Sequence, residues 1–190
     1  MRSPNVLRVR QKGGFTLVEL LVVITIIVIL TGLTLGAMGW VMRMAANKKA
    51  RAQLAKLENG LERYHADTGT YPGGDGLKGS GLAVYQALFG DGVGDDGVLA
   101  DSEIGSVSGT PEEGAKVYLP DLDPSSDPTQ MVDGSATIPT GLLDPFGGQW
   151  YYRSGALANG EANNPDFDLF SYGADGKTGG DYEADDIHNW

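Results

Sequence analysis

Two groups of residues in this chain could do chemistry. The first is one carboxylate, Glu19, in an apolar run over residues 15–42 that carries no other charge. A charge at membrane depth is expensive, and where it is kept it marks function. Glu19 lies four residues after Phe15, and the run is entered through Lys12-Gly13-Gly14-Phe15 behind further basic residues. The second group is at the other end, where residues 171–187 hold four aspartates and a glutamate among four glycines. Calcium takes six to eight oxygens from carboxylates and carbonyls in flexible geometry, and glycines let a backbone turn its carbonyls inward. Composition alone leaves two readings of this stretch open, a calcium loop and a solvated acidic tail.

A carboxylate buried among apolar helices needs a counter-charge. A cut after Gly14 would supply one, because the new amino terminus at Phe15 of a neighbouring copy is a cation at the same depth. Pairing the two would fix the axial register of one helix on the next. The bland alternative is an ordinary signal anchor with a stray glutamate near its interfacial end.

The element that must position Glu19 is a long helix. Residues 15–42, about 28 residues at about 1.5 Å each, are long enough to cross a bilayer core of roughly 30 Å. A cleavable secretory signal is cut after its apolar core, whereas here the cut precedes it, so the greasy stretch stays with the mature protein. Residues 1–14 therefore read as a leader. The basic residues flanking the run leave its orientation near a tie: Arg2, Arg8, Arg10 and Lys12 precede it, and Arg43, Lys48, Lys49 and Arg51 follow it. The leader pattern favours the amino terminus inside. Gly32, Gly36 and Gly39 allow close helix approach or mark where the helix loosens on leaving the bilayer. Residues 45–65 are good helix formers, and Leu54, Leu57, Leu61 and Tyr64 fall on one stripe. Gly69 and Pro72 end the helix. One helix over residues 15–66 is expected, about 75 to 80 Å long.

The remainder is one modest domain, residues 43–190. With 29 glycines and 8% aromatics it is expected to be loop-rich, and with no cysteine it has no disulfide. Residues 66–190 hold 22 acids against Lys78, Lys116, Arg153 and Lys177, a net charge of −18. That balance disfavours nucleic acid, and no nucleic-acid partner is expected, since such binding rests on Lys and Arg contacts to phosphate. A short helix is expected over 77–88, with Leu82, Tyr85, Leu88 and Phe89 as its buried side. Residues 90–141 show little periodicity, with 116–119 a short strand or turn edge. Asp91, Asp95, Asp96, Asp101 and Glu103 are spaced loosely like a calcium loop but miss its pattern at Val93, and a solvated loop is expected. Residues 143–152 read as a turn feeding a strand and 167–172 as its hairpin partner across a long loop. There is no cysteine nucleophile, no paired-histidine zinc motif and no phosphate loop; His65 and His188 are expected at the surface, and the chain is read as not an enzyme.

Gly14-Phe15-Thr16-Leu17-Val18-Glu19 resembles the cleavage and methylation motif of type IV prepilins and type II secretion pseudopilins. The resemblance implies cleavage after Gly14 by a prepilin peptidase, N-methylation of Phe15 and an assembly role for Glu19. Asp67-Thr68-Gly69-Thr70-Tyr71-Pro72 also resembles the helix end of pseudopilins, with Tyr71 packing back on the helix. Asp144-Pro145-Phe146-Gly147-Gly148, followed by Ser171-Tyr172-Gly173-Ala174-Asp175-Gly176 and by Ala184-Asp185-Asp186-Ile187 before Asn189-Trp190, resembles the type II secretion major pseudopilins. That likeness implies Ca2+ held by Asp175, Asp185, Asp181 and Asp186 with the Tyr172 carbonyl. The sequence departs from the pattern at His188 and in residues 90–141, which beside that family read as an insertion.

The fold implied is α+β and type IV pilin-like: a long amino-terminal helix on a small antiparallel β-sheet, closed by a carboxy-terminal calcium-binding loop. The function implied is a filament subunit of a type II secretion pseudopilus, a homopolymer that drives protein export across the outer membrane. The chain would sit in the bacterial inner membrane by a single pass, with its carboxy-terminal domain in the periplasm. The assembly platform and minor pseudopilins would be its partners. A type IV pilin forming a surface fibre and a membrane-anchored calcium-binding module are the alternatives.

Overall fold

The computed structural model describes residues 14–77, 79–94, 97–126, 129–135, 138–155, 162–177 and 184–190, without the side chains of Gly36 and Ala37. The predicted leader, but for Gly14, and the predicted ligand Asp181 lie outside them. The chain divides into two compact units at Met42 and Arg43.

Helix α1 runs Leu17–Thr68. It starts after Thr16, whose carbonyl accepts from Leu20 N–H at 3.2 Å, and stops at Gly69, which takes φ +77° and donates to the His65 carbonyl at 2.8 Å. A left-handed residue just past the last turn is the standard glycine stop. Among the described residues α1 is the one helix long and apolar enough to cross a membrane; its most apolar 18-residue window has mean hydropathy 2.7 and none of it is buried. Three threonines in this run donate their hydroxyls to the carbonyl four residues back, Thr25 to Leu21, Thr31 to Ile27 and Thr34 to Leu30, at 2.7–2.8 Å.

In the second unit the expected stripe is the core face of α1: Leu54, Leu57, Leu61 and Tyr64 are buried, with Ala50 beside them. Helix α2, Gly81–Phe89, begins four residues later than expected, after a turn in which Ser80 N–H donates to the Leu77 carbonyl at 3.0 Å. The expectation of one buried side is corrected: every α2 residue except the half-buried Leu82 is buried, Gln86 included. Two features enclose it. Gly60 of α1 brings α2 close, since a Cβ there would lie 2.9 Å from the Leu88 side chain. The 118–119 backbone closes another side, both N–H groups donating to the Leu88 carbonyl at 2.8 and 3.0 Å. Those bonds make 116–119 a turn edge rather than a strand, and a 3-10 turn, Pro120–Leu122, follows.

The stretch expected to be featureless contains a hairpin. Strands β1, Val132–Ser135, and β2, Ile138–Leu142, pair antiparallel with an irregularity between Asp133 and Gly134. A second sheet holds β3, Tyr151–Ser154, β4, Phe167–Ser171, and β5, Ile187–His188, in the order β3-β4-β5, all antiparallel. The long-loop hairpin is β3–β4, its register placing Tyr151 opposite Phe170. The domain thus has two small sheets where one was expected. Trp150 is fully buried and its indole N–H donates to Gln53 Oε1 at 3.2 Å, tying the residue before β3 to α1.

Candidate functional site

Glu19 is not idle in the isolated chain. Its Oε2 accepts from Thr16 N–H at 2.8 Å and from the Thr16 hydroxyl at 2.7 Å, while Glu19 N–H donates to Thr16 Oγ1 at 3.2 Å. This is a capping box: the residue before the helix and the third residue inside it satisfy one another's end groups. The bonds use one carboxylate oxygen. Phe15, beside the expected cleavage point, is 85% exposed, and the apolar side chains that follow are exposed as well. Thr16 was not among the residues expected to matter, although Thr-x-x-Glu before an apolar run is the signature of such a box.

At the other end the structure brings some of the expected ligands together. Asp185 Oδ2 accepts from the N–H groups of Ala174 and Asp175 at 2.7 and 3.1 Å. Gly173 makes the approach possible: at φ +64° it lies so close that a Cβ would sit 2.2 Å from the Asp185 carbonyl oxygen. Asp175 is exposed and accepts from Lys177 N–H at 2.9 Å. Asp186 is half-buried, with Oδ1 shielded from solvent. Tyr172 is half-buried, its ring 4.5 Å from that of Tyr151, and burial followed by the neighbouring Tyr151 and Asp186 pushes its phenol up. Among the described residues no three acidic or imidazole side chains converge on one point.

Asp144, read from sequence as a turn residue, ties this loop to the domain. It is 5% exposed. Its Oδ1 accepts from the N–H groups of Phe146 and Gly148 at 2.9 and 2.8 Å, and its Oδ2 accepts from the Ser171 hydroxyl. Ser171 Oγ in turn accepts from Gly173 N–H at 3.1 Å. The turn before β3, the end of β4 and the acidic loop are thus one hydrogen-bonded chain. Asn189 acts as a strand surrogate, its side chain accepting from Leu169 N–H at 2.9 Å and donating to the Phe167 carbonyl at 3.1 Å.

Of the middle acidic residues, Asp101 is exposed as a solvated loop requires, whereas the expectation for Asp91 is corrected. Asp91 is fully buried and takes bonds from Tyr85 Oη (3.0 Å), Ser108 N (2.8 Å) and Gly109 N (2.8 Å). It is neither a solvated residue nor part of a calcium loop; it anchors the returning 108–109 backbone. Gln86 Nε2 donates to the carbonyls of Asp91, Glu103 and Ser106 at 3.1–3.2 Å. Asp95 and Asp96 lie outside the described residues. The histidines are half-buried rather than free at the surface, His65 stacked on Tyr71 at 4.3 Å and His188 on Trp190 at 4.4 Å. Tyr71 packs back on α1 as expected, donating to Glu62 Oε1 at 3.1 Å.

Both ends match known protein families. Residues 9–35 match the prokaryotic N-terminal methylation motif, and residues 118–190 match type II secretion system protein G. Relatives align over nearly the whole chain. The type II secretion system core protein G of Vibrio cholerae is 25% identical over 96% of this chain and 94% of its own length. That of Aeromonas hydrophila is 27% identical over 95% and 94%, and that of Pseudomonas aeruginosa 28% identical over 95% and 96%. A methylation motif thus opens the apolar helix, and a stretch similar to type II secretion system protein G spans the sheets and the acidic loop.

Proposed function

We propose that this protein is the structural subunit of a type II secretion pseudopilus, processed at Gly14–Phe15 and assembled through α1 to drive export across the outer membrane. The observation that carries the reading is Glu19, placed at the start of an exposed apolar helix directly after the processing junction. Before assembly the apolar half of α1 anchors the chain in the inner membrane, and residues 43–190 stand in the periplasm. A prepilin peptidase removes the leader after Gly14. The freed, N-methylated Phe15 amine of one copy then meets Glu19 of the next, setting their stagger. The inner-membrane assembly platform and minor pseudopilins are the further partners, and no reacting group is assigned to the chain.

The carboxy-terminal loop suits a calcium ion. Its donors are all oxygens, the match for a hard cation. Gly173 leaves no room for a side chain where Asp185 closes on the 174–175 turn. Asp175, Asp185 and Asp186, with Asp181 and the Tyr172 carbonyl, would hold the ion. Bound, it would neutralise the loop's charge and lock it to β4, stabilising a domain that has no disulfide.

The test is a mass spectrum of the mature amino terminus together with a Glu19→Ala variant. Cleavage before Phe15 with one added methyl is expected, and Glu19→Ala should insert in the membrane without forming fibres. An intact leader in the working protein, or normal fibres from Glu19→Ala, refutes the reading.

A further inference from the structure

The cations at the start of the soluble unit form a collar. Arg43, Lys48, Lys49 and Arg51 are exposed on α1 and, among the described residues, make no ion pair. No acid lies among residues 43–51. Lys56, the next cation along the helix, pairs with Asp121 at 2.7 Å, so an acid of the domain reaches α1 there. At about 100° per residue the four collar cations stand at roughly 0°, 140°, 240° and 80° around the helix axis, and no arc wider than about 120° lacks a charge. A face that docks on one side of a protein partner carries its charges as a stripe. These surround the helix.

The collar follows directly on the apolar run. Trp40 and Met42 are 66% and 62% exposed, and α1 continues through Arg43 without a break. Tryptophan is enriched where a membrane helix passes into water. Arg43 to Arg51 takes up about 12 Å of helix at 1.5 Å per residue, while a headgroup layer is about 5–8 Å deep on each side. Side-chain direction closes that difference. Long helical side chains lean toward the amino terminus and cover the preceding turn. From residues 43–51 this lean carries the charged ends back toward the apolar run, as lysine and arginine do when they snorkel to an interface.

We propose that residues 43–51 bind the phosphates of anionic lipid headgroups at the membrane surface beside the soluble domain, and so fix the depth at which the subunit waits before assembly. Two observations select lipid as the occupant: the charges ring the helix as headgroups do, and the same helix is apolar and exposed up to residue 42. The proposal rests on the reading of residues 15–42 as a membrane anchor. It is distinct from the Glu19 pairing, which acts between copies. A subunit that leaves the membrane for a fibre then gives up four lipid contacts.

The experiment uses the full chain in lipid vesicles. The chain has no cysteine, so Ala45→Cys, exposed between Arg43 and Lys48, carries a single fluorophore. The quenchers are phosphatidylglycerol and phosphatidylcholine, each with a nitroxide high on its acyl chain. One Lys or Arg near an anionic surface is worth about fivefold in binding, so the phosphatidylglycerol quencher should act at about fivefold lower mole fraction or less. The preference should vanish when Arg43, Lys48, Lys49 and Arg51 are all changed to Gln, and near 1 M salt, where charges are screened within about 3 Å. Arg43→Lys with Arg51→Lys should keep it. Equal quenching by the two lipids, or a preference that survives the Gln variant, overturns the proposal and leaves the anchor reading standing. So does loss of the preference to soluble glycerol phosphate, which marks a site for free anions, or quenching that follows the protein-to-lipid ratio, which marks contact between copies. Absence of quenching by either lipid shows that the helix is not in the bilayer and removes both.

Discussion

Asp144→Ala should cost the soluble domain more than any other single change in the region of the acidic loop. The carboxylate is 5% exposed and takes three bonds, from Phe146 N–H, Gly148 N–H and the Ser171 hydroxyl. Each hydrogen bond to a charged group contributes about 1.5–3 kcal/mol net, and a buried donor left without an acceptor costs about 1–3 kcal/mol. The turn can reach water for part of that loss, so the expected total is roughly 3–5 kcal/mol rather than the full sum. Against a domain stability of about 5–15 kcal/mol this is a large share. At about 2–4 °C per kcal/mol for a domain near this size, Tm should fall by roughly 6–20 °C. The assay is thermal and urea unfolding of residues 43–190, which contain the entire buried core. Asp144→Asn separates charge from geometry: its carbonyl can still accept from Phe146 and Gly148, so it should lose no more than about half as much. The same chain of bonds runs through Ser171 to Gly173, so Asp144→Ala should also shrink any stabilisation by calcium. A loss below about 1 kcal/mol for Asp144→Ala would falsify the claim that this carboxylate ties turn, strand and loop together.

Three further outcomes are expected. Excess chelator should lower the melting temperature of residues 43–190, through a loss of about 2.7 kcal/mol of stability if calcium stands at a hundred times its Kd; an unchanged curve returns the loop to the solvated-tail reading. Alkaline pH should unfold the domain early. Tyr71 and Tyr118 are pushed up to about 12, chiefly by burial and then by Glu62 and Asp67, and burial raises Tyr85 and Tyr152 as well. The folded state therefore keeps protons that the unfolded chain releases near 10. This stability is complete below about 10 and lost as pH rises toward and through about 12, which a phenolate absorbance titration run alongside the unfolding curve would detect; ionisation of all tyrosines together near 10 with no loss of structure would count against it. Thr16→Val should fray the first turn of α1 by about 1 kcal/mol, reduce fibre yield while sparing membrane insertion, and be rescued by Thr16→Ser; fibres at wild-type level would show that the capping box plays no part in assembly.

The features legible in the sequence were those with a local, repeated signal. The Leu54, Leu57, Leu61 and Tyr64 stripe and the Gly69 stop specify the soluble half of α1 without help from the rest of the fold. The β3–β4 hairpin was legible because aromatic residues bracket a turn-rich gap. The β1–β2 hairpin was not, because Gly134, Pro139 and Gly141 lie inside its strands and the register slips at Asp133. Strand β5 is two residues long, too short for any alternation, and exists only because Phe170 and Ser171 pair with it. Asp91 misled for a different reason. An acid among glycines looks solvated, and nothing nearby in sequence says that the backbone of Ser108 and Gly109 returns to cap it. For α2 the apolar pattern pointed to one face, but enclosure by α1 and by the 118–119 backbone buries Gln86 as well, and its amide is then used to hold the 103–106 segment. At the candidate site, the Thr16 box is written in the sequence as Thr-x-x-Glu, whereas the Asp144 link depends on a contact 27 residues away that no local pattern encodes.

The carboxylates of this chain show why Glu19 stands apart. Asp91, Asp144 and Asp168 are buried, and each is surrounded by donors from several parts of the domain: three or more bonds apiece, with Arg153 also 3.9 Å from Asp168. Fixed backbone N–H groups of this kind can hold an anion out of water. Within the apolar run the hydroxyls are self-sufficient too, since Thr25, Thr31 and Thr34 each return a bond to their own helix, as a lipid environment demands. Among the described residues the Glu19 carboxylate has the bonds of the Thr16 capping box, both on Oε2. Those bonds organise the helix start but bring no positive charge, and in the isolated chain the group depends on water or headgroups for the rest. Once helices pack around it, that solvation is withdrawn, and among the described residues no ion pair of the protomer replaces it. On the proposed processing after Gly14, the Phe15 amine of a neighbouring copy would supply that charge at the depth of Glu19. In the proposed pseudopilus Glu19 would therefore act at assembly rather than in folding, and Glu19→Ala chains that insert and fold but form no fibres are the outcome that role requires.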